Sequence, residues 1–193
     1  MARQKEFDQD EALDIAMTLF WQKGYGATSV QDLVDNMGIG RRSLYDTFKS
    51  KHDLFIAALD RYQAMRERSQ AATIESLVSP KTIIQEIFEG IVAESLTDSY
   101  RKGCFHVNSG VELAGQDDEM TVRSRVVYQS LEEEFHRLLI QAQQTGELSP
   151  DRDIRALAQY LTNSVFGLRV MAKVNPDEKV LTNIVNLTLS SLD

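Results

Sequence analysis

Residues 28–52 read TSVQDLVDNMGIGRRSLYDTFKSKH, and this stretch decides the fold of the N-terminal part of the chain. It predicts two short helices separated by the tight break Gly38-Ile39-Gly40. Thr28 is the predicted N-cap of the first helix, with Gln31 at the reciprocal position of a capping box. Two short helices joined by a short glycine-containing turn are typical of a helix-turn-helix.

The second of these helices is predicted over residues 41–48, with a thin inner face. At about 100° per residue, Leu44 and Phe48 point inward, one turn apart. The outer face and flanks then carry Arg41, Arg42, Ser43, Tyr45, Asp46 and Lys49. Arginine can donate two hydrogen bonds to guanine, and tyrosine can contact a phosphate or a thymine methyl group. An ordinary helical hairpin with a solvated charged face would show the same pattern.

The net charge of −8 argues against nucleic-acid binding when it is taken over the whole chain. Locally the balance reverses, because residues 38–52 contain Arg41, Arg42, Lys49 and Lys51 against Asp46 alone. Salt screens charges beyond about 10 Å, so the local balance decides whether a phosphate backbone is attracted. Asp46 is interpreted as an acceptor for cytosine N4 or as a residue that faces a gap.

Hydrophobic periodicity predicts helices almost throughout the chain, because no segment alternates polar and apolar residues for long. The first helix is predicted to begin at Asp8, and the fourth to begin after Ser50, with Asp53 as its capping-box partner. Longer helices follow, and Ser79-Pro80 opens the fifth. We therefore predict an all-α fold of about nine helices.

Composition limits the class of protein. With 193 residues, 42% of them hydrophobic, the chain can bury a substantial core. The N-terminus MARQKEFDQD lacks the apolar run of a secretory signal, no stretch approaches the ~20 apolar residues of a membrane span, and Cys104 is the single cysteine. These features predict a cytoplasmic protein without a membrane partner.

An enzyme is the main rival class. His52, His106 and His136 show no metal-ligand spacing, and no nucleophile elbow, P-loop or dinucleotide-binding motif occurs. We therefore predict no catalytic residues, no metal and no cofactor. A helical binding protein that has lost DNA affinity is the second rival, and a steep salt dependence of DNA binding would exclude it.

Residues 7–59 resemble the N-terminal domain of the TetR family of repressors. The motifs that carry the resemblance are F-x-x-K-G-Y from residue 20, A-T-S-V-x-D-L from residue 27 and G-I-G-R-R-S-L-Y-x-x-F-K-S-K-x-x-L from residue 38. The resemblance implies a transcriptional repressor that binds a palindromic double-stranded DNA operator as a homodimer. It also implies that the usual DNA-contact positions are Thr28, Arg41, Arg42, Ser43, Tyr45, Thr47 and Lys51, to which the helical pattern adds Lys49.

The remainder of the chain resembles the family more loosely, in residues 102–108 and in TGELSPDRDIRALA from residue 145. The resemblance implies a three-helix helix-turn-helix domain over residues 1–64, joined through helix 4 to an effector-binding and dimerisation domain over residues 65–193. The last two helices would pair with their copies in a second subunit. The predicted dimer interface comprises Leu157, Leu161, Val165, Leu168, Ile184, Val185, Leu187 and Leu189.

The middle helices would enclose a pocket for an unknown small-molecule effector. The candidate lining residues, each of which also fits an ordinary core position, are Phe88, Ile91, Cys104, Val107, Asn108, Val111, Tyr128, Phe135 and Phe166. Asn108 stands out because an amide on an apolar helix needs a buried partner or a cavity. Cys104 fits either a redox or electrophile sensor or a small buried hydrophobic residue. Effector binding would tilt the fourth helix and change the spacing of the two recognition helices.

Overall fold

The computed structural model describes residues 7–71, 79–97 and 102–193, and every regular element within them is helical. The predicted all-helical fold is therefore confirmed. The elements are α1 (Gln9–Lys23), α2 (Val30–Met37), α3 (Arg41–Phe48), α4 (Lys51–Ala71), α5 (Pro80–Ser95), α6 (Phe105–Leu113), α7 (Asp118–Gln144), α8 (Ile154–Val174) and α9 (Glu178–Leu189), followed by a 3₁₀ turn over Ser190–Leu192.

The chain forms two compact units, residues 1–75 and residues 76–193. The first unit contains α1 to α4, and the second contains α5 to α9. None of the described helices is long and apolar enough to cross a membrane.

Aromatic side chains form the core of the first unit. Phe20 of α1 meets Phe55 of α4 edge to face, with ring centroids 5.2 Å apart. Trp21 and Tyr62 form a second edge-to-face contact between the same two helices, with ring centroids 5.0 Å apart. Because such pairs add a preferred geometry to the burial of large apolar surfaces, they hold α1 against α4 in one register. Met65, three residues after Tyr62 on α4, is 42% exposed.

Most predicted helix starts are confirmed. The Asp8 carboxylate accepts hydrogen bonds from the N–H groups of Asp10 and Glu11, Ser50 Oγ accepts one from Asp53 N at 2.9 Å, and Ser79 is the N-cap that precedes Pro80. These caps are read correctly from sequence because each satisfies backbone N–H groups within its own first turn.

The predicted cap of α2 is wrong by one residue. Ser29 is the N-cap, its Oγ accepts from Asp32 N at 3.0 Å, and the Asp32 carboxylate accepts from Ser29 N at 2.8 Å. Thr28 is fully buried instead, and its hydroxyl donates to the Gly24 carbonyl at 2.6 Å. The sequence offers two adjacent hydroxyl residues, and the way the preceding turn packs decides which of them caps the helix.

Helix α8 is central to the second unit, where it packs against α5, α6, α7 and α9. The buried core around it includes Ile84, Phe88, Phe135, Leu161 and Leu181. A nearly buried polar pair links two helices of this unit: the guanidinium of Arg169 on α8 donates to Glu94 on α5 at 2.8 Å. A buried charge without a partner would be costly, so this pair constrains how α5 and α8 align.

We predict that Asp32→Asn destabilises the first unit at neutral pH and that this difference becomes smaller in acid. Hydrogen bonds from the Ser29 hydroxyl and from Lys23, whose Nζ lies 2.9 Å from Asp32 Oδ1, hold the pKa of the Asp32 carboxyl well below its ordinary value. A depressed pKa contributes stability in full above the unfolded value of about 3.9. This contribution decreases as the pH falls below that value, and it is lost only when the pH passes through the lower folded-state pKa.

The measurement is urea unfolding at pH 7 and at pH 3, followed by the fluorescence of Trp21, the single tryptophan, which is buried in the first unit. Asp35→Asn is the matched control, because Asp35 only accepts from the Gln31 amide at 2.8 Å. An equal loss of stability for both variants at pH 7 would contradict the prediction.

Candidate functional site

The exposed face of α3 is the candidate nucleic-acid interface. Leu44 is fully buried and anchors the helix, as predicted. The preceding turn needs glycine at Gly38, whose φ of +65° is left-handed, and it buries Ile39. With the inner side fixed, the outer side chains Arg41, Arg42, Tyr45, Asp46 and Lys49 are exposed to solvent, whereas Ser43 and Thr47 are half-buried at the flanks.

Two opposite charges meet on this face. Arg42 Nε lies 3.7 Å from Asp46 Oδ2, one helical turn away. The side chains are 95% and 71% exposed, respectively, so solvent surrounds the pair in the free protein. The sequence interpretation did not predict this contact between Asp46 and Arg42.

Lys49 joins α3 to α4 through a strained turn. Its φ of +65° and ψ of −53° lie in a region that residues with a Cβ rarely adopt. Ser50 N donates to Phe48 O at 2.7 Å and closes a three-residue turn around it. Within the described ranges Lys49 is the one non-glycine residue with a positive φ. Such strain persists only where the surroundings enforce it.

Lys51 begins α4 beside this turn. Its Nζ lies 4.2 Å from the centroid of the Tyr25 ring, a cation–π geometry. Tyr25 in turn packs on Phe55, with ring centroids 4.9 Å apart. Lys51 is half-buried, and its charge lies against the aromatic core of the first unit.

Thr28, a predicted DNA contact, lies inside the first unit. Its side chain is 0% exposed, and its hydroxyl donates to the Gly24 carbonyl. Because the hydroxyl is used within the protein, a threonine suits this position independently of any ligand.

The predicted effector-pocket residues fall into more than one group. Phe88 and Phe135 stack on each other at 6.1 Å within the core, and Ile91 is buried in the same core, so these three residues occupy ordinary core positions. Tyr128 and Phe166 are half-buried and touch each other, with ring centroids 5.6 Å apart.

An open apolar groove of about 390 Å³ is lined by three of the predicted residues, Val107, Val111 and Phe166. It is also lined by residues of α8 that the sequence interpretation missed. The missed residues are Gly167, Val170, Met171 and Val174. Their helical spacing was visible in the sequence, but the pattern did not distinguish this side of α8 from its buried side.

Asn108 and Cys104 lie at the start of α6. The Asn108 amide donates to the Lys102 carbonyl at 2.7 Å, which supplies the partner that its position requires. Cys104 is the half-buried N-cap residue of α6, and its carbonyl accepts from Asn108 N. Both residues thus organise the loop before α6. In the part of the chain that the structure describes, no cluster of metal-ligating side chains forms.

Most residues of the predicted dimer interface are buried within the single chain. Leu157, Leu161, Val165, Leu168 and Val185 lie in the core of their own chain. Ile184 and Leu189 pack partly against that core, and of the predicted set only Leu187 is largely exposed, at 72%. The reason is that α8 has two apolar sides, and the side richer in leucine is covered by α5, α7 and α9.

A buried anchor, a glycine turn and a cation-bearing outer face define a helix-turn-helix transcriptional regulator. Residues 12–58 match the family model for bacterial regulatory proteins of the tetR family, and residues 80–187 match the model for a tetracyclin repressor-like C-terminal domain. The chain belongs to the TetR family of transcriptional regulators.

Similar proteins agree over the whole length. The HTH-type transcriptional regulator YezE of Bacillus subtilis is 41% identical over 100% of both chains. The HTH-type transcriptional repressor ComR of Escherichia coli is 34% identical over 97% of this chain and 90% of its own. A solved structure of the TetR family regulator CifR, a cysteine mutant in complex with a 26-bp operator DNA, superposes with a TM-score of 0.85 and 28% identity over 100% of both chains.

We predict that Lys49→Gly stabilises the first unit by about 1 kcal/mol, because glycine adopts the positive φ without the cost of a Cβ. Lys49→Ala is the control, since it removes the charge and keeps the strain. Urea unfolding monitored by Trp21 fluorescence measures both variants. A Lys49→Gly protein no more stable than Lys49→Ala would show that the turn is not strained.

Proposed function

We propose that this protein is a ligand-responsive repressor that acts as a homodimer on a palindromic double-stranded DNA operator. The observation that carries the proposal is the exposed face of α3, where Arg41, Arg42, Tyr45 and Lys49 project from a helix held by Leu44. The repressor ComR and the operator complex of CifR, both similar over nearly the whole chain, support it.

In this proposal α3 enters the major groove and its cationic side chains contact base edges and phosphates. Ser43 and Thr47 contact the groove from the flanks. Lys51 and the N-terminus of α4 bind a neighbouring phosphate, because the lysine charge and the positive end of the helix dipole favour an anion there. Thr28 is omitted from this set because its side chain is buried.

The second copy of the chain would bind along the exposed apolar side of α8 and α9. On α8 this side carries Tyr160, Val170, Met171 and Val174, which are 42%, 44%, 38% and 76% exposed. On α9 it carries Val180 and Leu187, at 36% and 72% exposure. A four-helix bundle between subunits needs two helices of each subunit with an exposed apolar side, and these side chains supply it at helical spacing.

A small-molecule effector would bind within the domain that we assign to residues 65–193 and shift the population between two dimer states. Coupling of this kind is typically worth about 1–3 kcal/mol. We place the protein in the cytoplasm and propose that it is not an enzyme, in agreement with relatives that are transcriptional regulators.

We predict that selection from random duplex DNA enriches a palindrome, with half-sites about one helical turn or a multiple apart, as two-fold symmetry requires. Binding to the selected sequence should weaken steeply with salt, since each neutralised phosphate releases counterions. No enrichment at low salt, with the protein folded and dimeric, would overturn the proposal.

We predict that Leu187→Glu converts the dimer to a monomer and weakens operator binding, because it places a charge in an apolar interface. Light scattering coupled to size exclusion measures the mass. Val126→Glu on α7, where the valine is 54% exposed, is the matched control and should leave the mass unchanged. A Leu187→Glu protein that stays dimeric would place the interface elsewhere.

A further inference from the structure

Asp46 is an acidic residue in the middle of a surface that otherwise attracts phosphate. Between residues 38 and 52 it is the one acidic side chain among Arg41, Arg42, Lys49 and Lys51. It lies on the exposed face of α3, and its carboxylate would repel a phosphate backbone. A residue with this cost to DNA affinity needs a compensating role on the same face.

The geometry of the Arg42 pair points to that role. Asp46 lies one turn after Arg42, and Oδ2 is 3.7 Å from Nε, the nitrogen nearest the arginine stem. An ion pair at Nε leaves the two terminal amino groups of the guanidinium available as a planar fork. A planar fork is the group that donates two hydrogen bonds to guanine O6 and N7.

Solvent exposure explains why the pair matters on DNA more than in the free protein. With Arg42 95% exposed, its side chain is free to adopt many rotamers, and water screens its attraction to Asp46. When α3 enters a groove, water is displaced and the attraction strengthens. The carboxylate then limits the guanidinium to orientations that direct the fork away from α3.

We propose that Asp46 is a positioning residue that sets base specificity through Arg42, and that it orients the guanidinium toward a guanine of each half-site. The inference rests on the proposed function and deepens it. Asp46 lowers the general affinity of this surface for phosphate, and it raises discrimination at one base pair. It makes no contact with DNA itself.

The test is a double-mutant cycle on the full-length protein. Affinities are measured for the selected operator and for operators with each substitution at the base pair that Arg42 reads. Asp46→Ala is expected to lower discrimination at that pair by about 10-fold, the range of one bidentate contact, and to raise affinity for non-specific DNA. Arg42→Ala should abolish discrimination there, and the double variant should match Arg42→Ala.

Three other outcomes would overturn the inference. If Asp46→Ala and Arg42→Ala act additively on discrimination, Asp46 reads a base directly. If Asp46→Ala raises affinity for all sequences equally, the carboxylate only repels DNA. Asp46→Glu keeps a charge within reach of Arg42 and should retain most of the discrimination, so a loss equal to that of Asp46→Ala would also contradict pairing.

Asp35→Ala is the control for removing an exposed acid from the same unit, and it should leave discrimination at that base pair unchanged. Trp21 fluorescence verifies that each variant is folded. Failure of the wild-type protein to select any sequence would count against the proposed function, whereas normal selection with unaltered discrimination in Asp46→Ala would count against this inference alone.

Discussion

The recognition surface depends on the burial of Leu44. A helix as short as α3 is not stable alone in water, so tertiary contacts must hold it. Leu44 is fully buried, Phe48 is half-buried one turn later, and every other side chain of α3 lies at the flank or on the outside. The aromatic contacts of Phe20 with Phe55 hold α1 against α4 and thereby complete the core of this unit.

Local charge outweighs net charge in this protein. A chain with a net charge of −8 presents a short segment in which cations outnumber the single carboxylate. The structure places Arg41, Arg42 and Lys49 on one exposed face and holds Lys51 against Tyr25. Because screening limits electrostatic reach to about 10 Å, the local balance of charge rather than the net charge decides whether a phosphate is attracted to this surface.

Sequence reasoning succeeded where a short-range rule decides the structure. Caps such as Asp8, Ser50 and Ser79 satisfy N–H groups in their own first turn. It failed where two residues satisfy the same local rule and tertiary packing determines which of them is used. Ser29 rather than Thr28 caps α2, because the Thr28 hydroxyl is used by the Gly24 carbonyl. The same limit applies to α8, whose two apolar sides look alike in sequence.

The helices, the glycine turn before α3 and the side chains on the outer face of that helix can be predicted from sequence, because periodicity and capping act over one or two turns. By contrast, the packing of distant residues places Leu161 and Leu168 in the core and leaves Val174 and Leu187 exposed. The tertiary structure alone placed Arg42 beside Asp46 and Lys49 in a strained turn. These outcomes depend on contacts and backbone angles set by distant residues, which no local pattern contains.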